Sequence, residues 1–247
     1  MDKKFDEKND SALMSSLKSD IIDTSPMSYI LDRDYARLPH KEMPQSSRKL
    51  IAICASTGGP KALSKLIPML PEDINAPIIM VQHMPKGFTG SMAKSLDEKS
   101  KIRVYEAHNG NKLKVGCMYI AKGGEHLTVT GRRSGMYIKC SDAPARSGLK
   151  PCADIMFESL MKVDVDEIIC VVLTGMGSDG TRGIGLLSEK KNIYCIAQDE
   201  GTSTVYGMPS MVKRAGLADE VLPLEKIADA IIRVTGTSLP MPGNGGT

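Results

Sequence analysis

The stretch IAICASTGGP, residues 51–60, sets the pattern from which the fold of this chain can be predicted. Four apolar residues of strand-forming character run into a Ser-Thr-Gly-Gly-Pro turn, and a helix-length segment follows. The turn allows three interpretations. It is a glycine turn that binds phosphate, a structural corner between strand and helix, or a turn that presents Ser56 as a nucleophile.

Apolar runs of strand length alternate with helix-length segments from residue 49 onward. Runs that are apolar throughout indicate strands buried on both faces, and their alternation with helices is typical of a doubly wound parallel sheet. We therefore predict an α/β fold of this class. The predicted strands are 50–54, 76–82, 118–121, 167–174, 192–198 and 220–222, and the predicted helices are 61–69, 91–99, 153–162, 182–190 and 209–215.

Three segments depart from this alternation. Residues 126–140 show two alternating runs around a glycine-containing turn, which predicts a small antiparallel β-hairpin beside the sheet. Residues 1–48 are polar and rich in turn formers, so we predict a flexible N-terminal tail or linker with at most a short helix at 11–17. The folded domain is then expected at 49–235, and residues 236–247 are expected to be a flexible C-terminus.

Composition argues against several classes of protein. The 247 residues carry a net charge of +3 with both signs interspersed, no Trp and only three Phe. Because neither a basic stripe nor an aromatic platform is present, we expect no nucleic-acid partner. We find no secretory signal sequence and no apolar run of the roughly 18 residues that a membrane span needs, so a cytoplasmic location without membrane insertion is expected. The six cysteines are scattered without a CxxC pair, which favours buried reduced thiols over zinc or disulfides.

Polar side chains that directly follow strands are the candidates for a site, because ligands of such sheets bind at the carboxyl ends of the strands. Ser56 follows the first predicted strand and His83 the second, while Asp179 lies in the glycine-rich stretch after residues 167–174. In a catalytic triad the acid orients the histidine, and the histidine activates the serine. These three positions therefore suggest a hydrolase.

Each of these residues also has a structural interpretation. Ser56 is a turn or N-cap residue, a lone histidine at a strand end is more often structural, and Asp179 is an N-cap in a tight turn. Their coincidence at three strand ends makes a hydrolase the leading hypothesis, although the chain order differs from those of chymotrypsin, subtilisin and the α/β-hydrolases. A metal site built from Asp179, Asp199 and Glu200 is weaker, because the sequence does not cluster these carboxylates more tightly.

Six stretches carry a family resemblance, and they follow the family's order along the chain. They are ASTGGP (55–60), VQHMPKGFT (81–89), YIAKGGEHL (119–127), LTGMGSDGTRG (173–183), IAQDEGTSTVYGMP (196–209) and LPLEKIA (222–228). Over residues 49–232 the chain resembles the methylesterase domain of CheB, the protein-glutamate methylesterase of bacterial chemotaxis. The resemblance implies a three-layer α/β/α sandwich that carries the small hairpin.

The resemblance also implies roles for individual residues. Ser56 would be the nucleophile, His83 its general base and then acid, and Asp179 the residue that orients His83. The backbone N–H of Met176 would donate to the oxyanion, and the turn at Thr57–Gly58 would shape the oxyanion and substrate-binding site.

The substrate implied by the resemblance is a γ-glutamyl methyl ester on the cytoplasmic domain of a methyl-accepting chemoreceptor. Hydrolysis would yield methanol and a carboxylate, and receptor glutamines could be deamidated as well. The resemblance implies no metal and no organic cofactor, because the attacking groups all belong to the protein.

The chain departs from the family pattern in three places. Cys54 stands where the family usually has glycine, and Lys150 and Cys152 replace the Arg and Ser of the usual R-P-S-V-D-x-L-F. A receiver domain is expected to be absent, because residues 1–48 hold no strand that ends in a phosphoacceptor Asp. We expect a stand-alone esterase, or a catalytic domain that keeps part of a linker.

Two other functions remain open. One is a catalytically weak or idle module that binds receptors or signalling proteins, which Cys54 and the altered residues 150–157 favour. The other is a small-molecule hydrolase or nucleotide-binding domain that uses the Gly58–Gly59 turn, although no ribose-reading acid or phosphate-binding Lys is suitably placed. The decisive feature is a hydrogen-bonded chain through Ser56, His83 and Asp179 at about 2.6–3.2 Å.

Overall fold

The computed structural model of the chain describes residues 35–237. The strands of the main sheet are β1 Lys49–Ala55, β2 Ile78–Gln82, β3 Arg103–Glu106, β4 Cys117–Ile120, β7 Glu167–Val172, β8 Ile193–Gln198 and β9 Glu220–Leu222, and β5 His126–Arg132 with β6 Gly135–Ser141 forms a separate pair. The helices are α1 Gly59–Leu66, α2 Thr89–Asp97, α3 Ala153–Leu160, α4 Thr181–Ser188, α5 Met208–Arg214 and α6 Leu224–Thr235, with a 3-10 turn at Ile67–Met69. In the described part of the chain, no helix combines the length and apolar character that a membrane crossing requires.

The seven-stranded sheet has the order β3-β4-β2-β1-β7-β8-β9, and its neighbouring strands pair in parallel. Strands β5 and β6 pair antiparallel. Every residue of β1 is buried. Because successive side chains of a strand point to opposite faces, β1 contributes to two separate cores. The face that holds Leu50, Ala52 and Cys54 is covered by α3, α4, α5 and the hairpin, and the face that holds Ile51, Ile53 and Ala55 is covered by α1, α2 and α6.

The predicted three-layer sandwich with a hairpin is therefore confirmed. The structure also contains two elements that were not predicted, strand β3 and helix α6. Strand β3 lies at an edge of the sheet, where its alternate residues Arg103 and Tyr105 are exposed, so it shows no continuous apolar run. Helix α6 was detectable, because its buried residues at 224, 227, 228, 231 and 232 have helical spacing. The predicted helix at 11–17 lies outside the described residues.

Residues 35–48 lie against the domain without forming a helix or strand. Tyr35 is buried, and its ring contacts Gly185 of α4. The Arg37 guanidinium forms a 2.6 Å ion pair with Asp219. These contacts hold the second part of the predicted flexible segment on the domain, while the boundaries at 49 and 235 stay predictions.

The chain order of the strands places a switch point beside β1. From β1 the chain proceeds to β2 on one side, and later returns to β7 on the other side of β1. Ligands of doubly wound sheets bind outside the carboxyl ends of the strands at such a point. The loops that follow β1, β2 and β7 contain the residues predicted for the site.

Candidate active site

Ser56 and His83 lie at the carboxyl ends of neighbouring strands. Strands β1 and β2 are in register at Ala55 and Gln82, so the next residue of each strand stands at the same height. The backbone N–H of His83 donates to the Ala55 carbonyl at 3.1 Å, which extends the ladder to the end of β1. The two residues are therefore neighbours at this edge of the sheet.

The turn after Ser56 is held on both sides by backbone hydrogen bonds. The Ser56 N–H donates to the Thr174 carbonyl at 3.0 Å, and the Gly59 N–H donates to the Ser56 carbonyl at 2.9 Å. Gly58 has a φ of +85°, and a Cβ at this position would lie 2.5 Å from the Thr204 Cβ. Glycine is thus required at position 58 by both backbone conformation and space.

Asp179 accepts hydrogen bonds from two segments of the fold, the residue after β2 and the start of α3. Its Oδ2 lies 2.7 Å from His83 Nε2 and accepts the Ala153 N–H at 2.6 Å. Its Oδ1 accepts the Asp154 N–H at 2.9 Å and the Cys152 thiol at 3.1 Å. The buried carboxylate therefore binds the first N–H groups of α3, where the helix dipole favours a negative charge.

The carboxylate of Asp179 determines which ring nitrogen of His83 carries the proton of the neutral imidazole. Burial opposes ionisation of Asp179, but the hydrogen bond and charge of His83 and the N–H groups of α3 hold the pKa of this carboxyl below its ordinary value. A carboxylate only accepts hydrogen bonds, so His83 Nε2 carries the proton of the neutral imidazole. Nδ1 of His83 is left as the basic nitrogen.

The hydrogen-bonded chain expected from the sequence is formed in one of its two parts. His83 and Asp179 are hydrogen-bonded, whereas no hydrogen bond joins Ser56 Oγ to His83 within residues 35–237. Catalytic hydrogen bonds are often long in unliganded enzymes and tighten in the substrate complex. The nucleophile and base roles of Ser56 and His83 stay predictions.

The loop after β7 brings Met176 close to the Ser56 turn. A Cβ at Gly175 would lie 2.8 Å from the Ser56 Cβ and 2.3 Å from the Met208 sulfur, so the two loops are in direct contact. In the described part of the chain, neither the Met176 N–H nor the Thr57 N–H has a hydrogen-bond acceptor. Both donors are therefore without an intramolecular acceptor among the described residues, and the Met176 side chain is 74% exposed.

Cys152, Asp154 and Asp179 form a compact polar cluster. One ligand-type atom of each lies within 4.8 Å of the others. Asp154 Oδ1 accepts the N–H groups of Gly180 and Gly183 at 2.9 and 2.7 Å. The polar atoms of the cluster are therefore used in hydrogen bonds to the backbone and between Cys152 and Asp179. Burial raises the pKa of the Cys152 thiol, which therefore stays protonated and donates to Asp179. The cluster is an internal hydrogen-bond network around Asp179.

The carboxylates of the alternative metal hypothesis are not assembled. Asp199 and Glu200 are outside the cluster of Asp179 in the region that the structure describes. Asp199 Oδ1 accepts the N–H and hydroxyl of Thr202 at 3.0 and 2.6 Å, which closes the turn after β8.

Asp154 is expected to make stability fall as the pH rises. Burial and, next, the charge of Asp179 raise the pKa of Asp154 to about 7. The unfolded chain loses this proton near pH 4, so the folded state is favoured by the bound proton below that pH and loses the advantage as the pH rises toward 7. The Asp154→Asn variant, whose Oδ1 can still accept from Gly180 and Gly183, should show a flatter dependence of the unfolding temperature between pH 4 and 7.

Thermal unfolding from pH 4 to 8 tests this expectation. The matched control is Asp229→Asn, because the Asp229 side chain is 65% exposed. The control should follow the wild-type pH dependence. An Asp154→Asn variant with the wild-type pH dependence would show that the Asp154 carboxyl titrates normally in the folded protein.

Cys54 and Lys150, two residues that depart from the family pattern, have defined surroundings in the structure. The Cys54 side chain packs beneath Gly180, where an added Cβ would lie 3.1 Å from its sulfur. Burial, followed by the charge of Asp179, raises the pKa of the Cys54 thiol well above its ordinary value, so it is an unreactive part of the core. Lys150 Nζ pairs with Asp142 at 2.6 Å on the surface.

Comparison with known proteins identifies the family. A sequence profile of the CheB methylesterase family matches residues 51–231. A protein-glutamate methylesterase/protein-glutamine glutaminase of Syntrophomonas wolfei is 44% identical over 199 residues, which cover 78% of this chain and 56% of that protein. The Bacillus subtilis protein of that name is 43% identical over 191 residues, covering 77% of this chain and 54% of that one. The chain thus spans about half the length of the curated relatives it matches.

A solved structure supports the same assignment. The crystal structure of the Thermotoga maritima CheB methylesterase catalytic domain matches with a TM-score of 0.73 and 38% sequence identity. The match covers 76% of this chain and 99% of that chain. The resemblance carried by the six sequence motifs is confirmed by these matches, and the chain belongs to the CheB methylesterase family.

Proposed function

We propose that this chain is a cytoplasmic protein-glutamate methylesterase that hydrolyses γ-glutamyl methyl esters on the cytoplasmic domain of methyl-accepting chemoreceptors. Ser56, His83 and Asp179 form its catalytic triad. The observation that carries the proposal is the 2.7 Å contact between His83 Nε2 and Asp179 Oδ2, one strand away from a serine at the end of β1. The names of the relatives, which are about 44% identical, support the same activity.

In the first half of the reaction, Ser56 Oγ attacks the ester carbonyl while His83 Nδ1 takes its proton. Asp179 stabilises the imidazolium that forms, because its carboxylate is held ionised beside Nε2. The tetrahedral intermediate collapses as His83 returns the proton to the departing methanol. A water molecule, activated by the same nitrogen, then hydrolyses the acyl-enzyme and leaves a glutamate carboxylate.

The negative charge of the tetrahedral intermediate requires donors that are in place before the reaction. The N–H groups of Met176 and Thr57 lie on the two loops that meet at Ser56, and neither is used within the described residues. Preorganised backbone donors of this kind stabilise the transition state more than the substrate. With Gly58, whose lack of a side chain keeps the turn tight, they form the oxyanion and substrate-binding site. A glutamine amide presented to this site would release ammonia by the same steps.

Release of methanol tests the proposal. A receptor cytoplasmic domain that carries radiolabelled methyl esters is incubated with the protein, and volatile label is counted against time. Label should appear in proportion to enzyme concentration, and the product should regain glutamate carboxylates by mass spectrometry. Binding of the receptor domain without release of label would instead identify an idle binding module.

A further inference from the structure

We propose that Gln82 is a positioning residue, which holds Ser56 and His83 in their relative placement for catalysis. The proposal rests on the proposed function. Gln82 is the last residue of β2 and is 1% exposed. Its Nε2 donates to the carbonyl oxygen of Ser56 at 2.9 Å and to that of His83 at 3.1 Å. One side-chain amide thus connects the nucleophile and the base through their backbones.

The orientation of this amide follows from its partners. If the Gln82 amide were turned over, Oε1 would face two carbonyl oxygens that cannot donate to it. In the observed orientation Oε1 lies against Gly59, where an added Cβ would be only 2.0 Å away. Gly59 is therefore needed to make room for the glutamine, which relates the Gly-Gly of the serine turn to the Gln-His of the next strand.

Gln82 acts where the backbone ladder between the two strands has ended. The pairing of β1 with β2 reaches Ala55, whose carbonyl accepts the His83 N–H, and the chain then turns away at Ser56. Beyond that point, the Gln82 side chain supplies a cross-strand hydrogen bond to the Ser56 carbonyl, and it also binds the carbonyl of the adjacent His83. Without this pair of hydrogen bonds from one amide, the Ser56 turn could shift relative to His83, and misplacement of reacting groups by about 1 Å costs about 100-fold in rate.

A purely structural role does not explain the residue well. Gln82 Oε1 is buried and has no hydrogen-bond partner among the described residues. An unsatisfied buried oxygen lowers stability, so packing alone would favour an apolar side chain of the same shape. Methionine is such a side chain. The Gln82→Met variant is therefore expected to keep its unfolding temperature within a few degrees while it loses activity.

The experiment compares kcat per active site in three variants. Gln82→Met removes both hydrogen bonds, and Gln82→Glu retains a single donor in its neutral form. Thr235→Val is the control for loss of a buried hydrogen bond outside the candidate site. The buried Thr235 hydroxyl donates to the Ile231 carbonyl at the C-terminal end of α6. Active sites are counted by complete labelling with a fluorophosphonate, which reacts with the catalytic serine.

For Gln82→Met we expect kcat per labelled site to fall about 10- to 100-fold with KM within about twofold of the wild type. The kcat per labelled site of Gln82→Glu should lie between the values of the wild type and Gln82→Met. Thr235→Val should unfold at a lower temperature with unchanged kcat per site. A Gln82→Met variant with kcat per site within twofold of the wild type would overturn the proposal. Loss of labelled sites alone would do the same.

The rate of fluorophosphonate labelling separates this proposal from the proposed function. Labelling requires Ser56 to be activated by His83 but does not require the natural substrate. If the wild-type protein releases no methanol, the proposed substrate is wrong, and slower labelling of Gln82→Met would still support the positioning role. Equal labelling rates in wild type and Gln82→Met would refute it.

Discussion

Replacing Ser56 by alanine is expected to lower kcat for methanol release by about 10³- to 10⁶-fold. The variant has no nucleophile, and only the oxyanion donors and substrate binding remain to favour hydrolysis by water. KM should change little, because the hydroxyl forms its bond to the substrate only during the reaction. The unfolding temperature should be unchanged, since Ser56 Oγ has no hydrogen-bond partner in the described part of the chain.

The matched control for this variant is Ser64→Ala. Ser64 is an exposed serine of α1, in the helix that follows the Ser56 turn. Its replacement should leave kcat and KM at their wild-type values. If Ser56→Ala hydrolysed the ester at the wild-type rate, Ser56 would not be the nucleophile, and the proposed mechanism would be wrong.

Replacing Asp179 by asparagine is expected to lower kcat by about 10³- to 10⁴-fold. In the wild type, the carboxylate selects the His83 tautomer with the proton on Nε2 and stabilises the imidazolium formed during attack. A neutral amide stabilises that charge less. Its NH₂ group would also favour a proton on Nδ1, so the nitrogen needed as the base would be blocked.

The same substitution is expected to destabilise the fold by about 1–3 kcal/mol. Each oxygen of Asp179 accepts a backbone N–H of α3, from Ala153 and Asp154, so the amide NH₂ must face a donor whichever way it turns. Because the folded-state pKa of Asp179 lies below its ordinary value, the carboxylate stabilises the protein at neutral pH and loses this effect as the pH falls through that pKa. The variant should lack this contribution to acid unfolding.

Steady-state kinetics and urea unfolding between pH 2 and 8 check both effects. Asp142→Asn is the control, because this side chain is 93% exposed and lies in a surface ion pair. It should retain wild-type kcat and lose little stability. Wild-type kcat in Asp179→Asn would mean that His83 does not depend on this carboxylate.

Local sequence patterns were sufficient to predict most of the fold. The strands of the sheet centre are buried on both faces, and this burial requires the continuous apolar runs that made them recognisable. The edge strand β3 contacts one neighbour and exposes Arg103 and Tyr105, so its four residues lack that pattern. Helix α6 has the apolar spacing of an amphipathic helix, so the sequence does carry a signal for it.

Ser56, His83 and Asp179 were also predictable as candidates, because a parallel sheet gathers the residues that follow its strands at one edge. The contacts that orient them were not. The N–H groups of α3 that bind Asp179 are 25 and 26 positions away in the chain. Neither segment has a sequence pattern that indicates contact with the other. Gln82 had no signal of its own, since its two acceptors are backbone oxygens that every residue possesses.

The sequence by itself determined the sheet, its helical layers and the set of polar residues at the strand ends. These features follow from the polarity of each residue and its spacing along the chain, which are local properties of the sequence. Only the tertiary structure decided that Asp179 binds both His83 and the start of α3 and that the Met176 loop touches the Ser56 turn. It also decided that the Cys54 thiol lies beneath Gly180, away from the surface of the site. These are distances between segments remote in the chain, and they depend on how the layers pack.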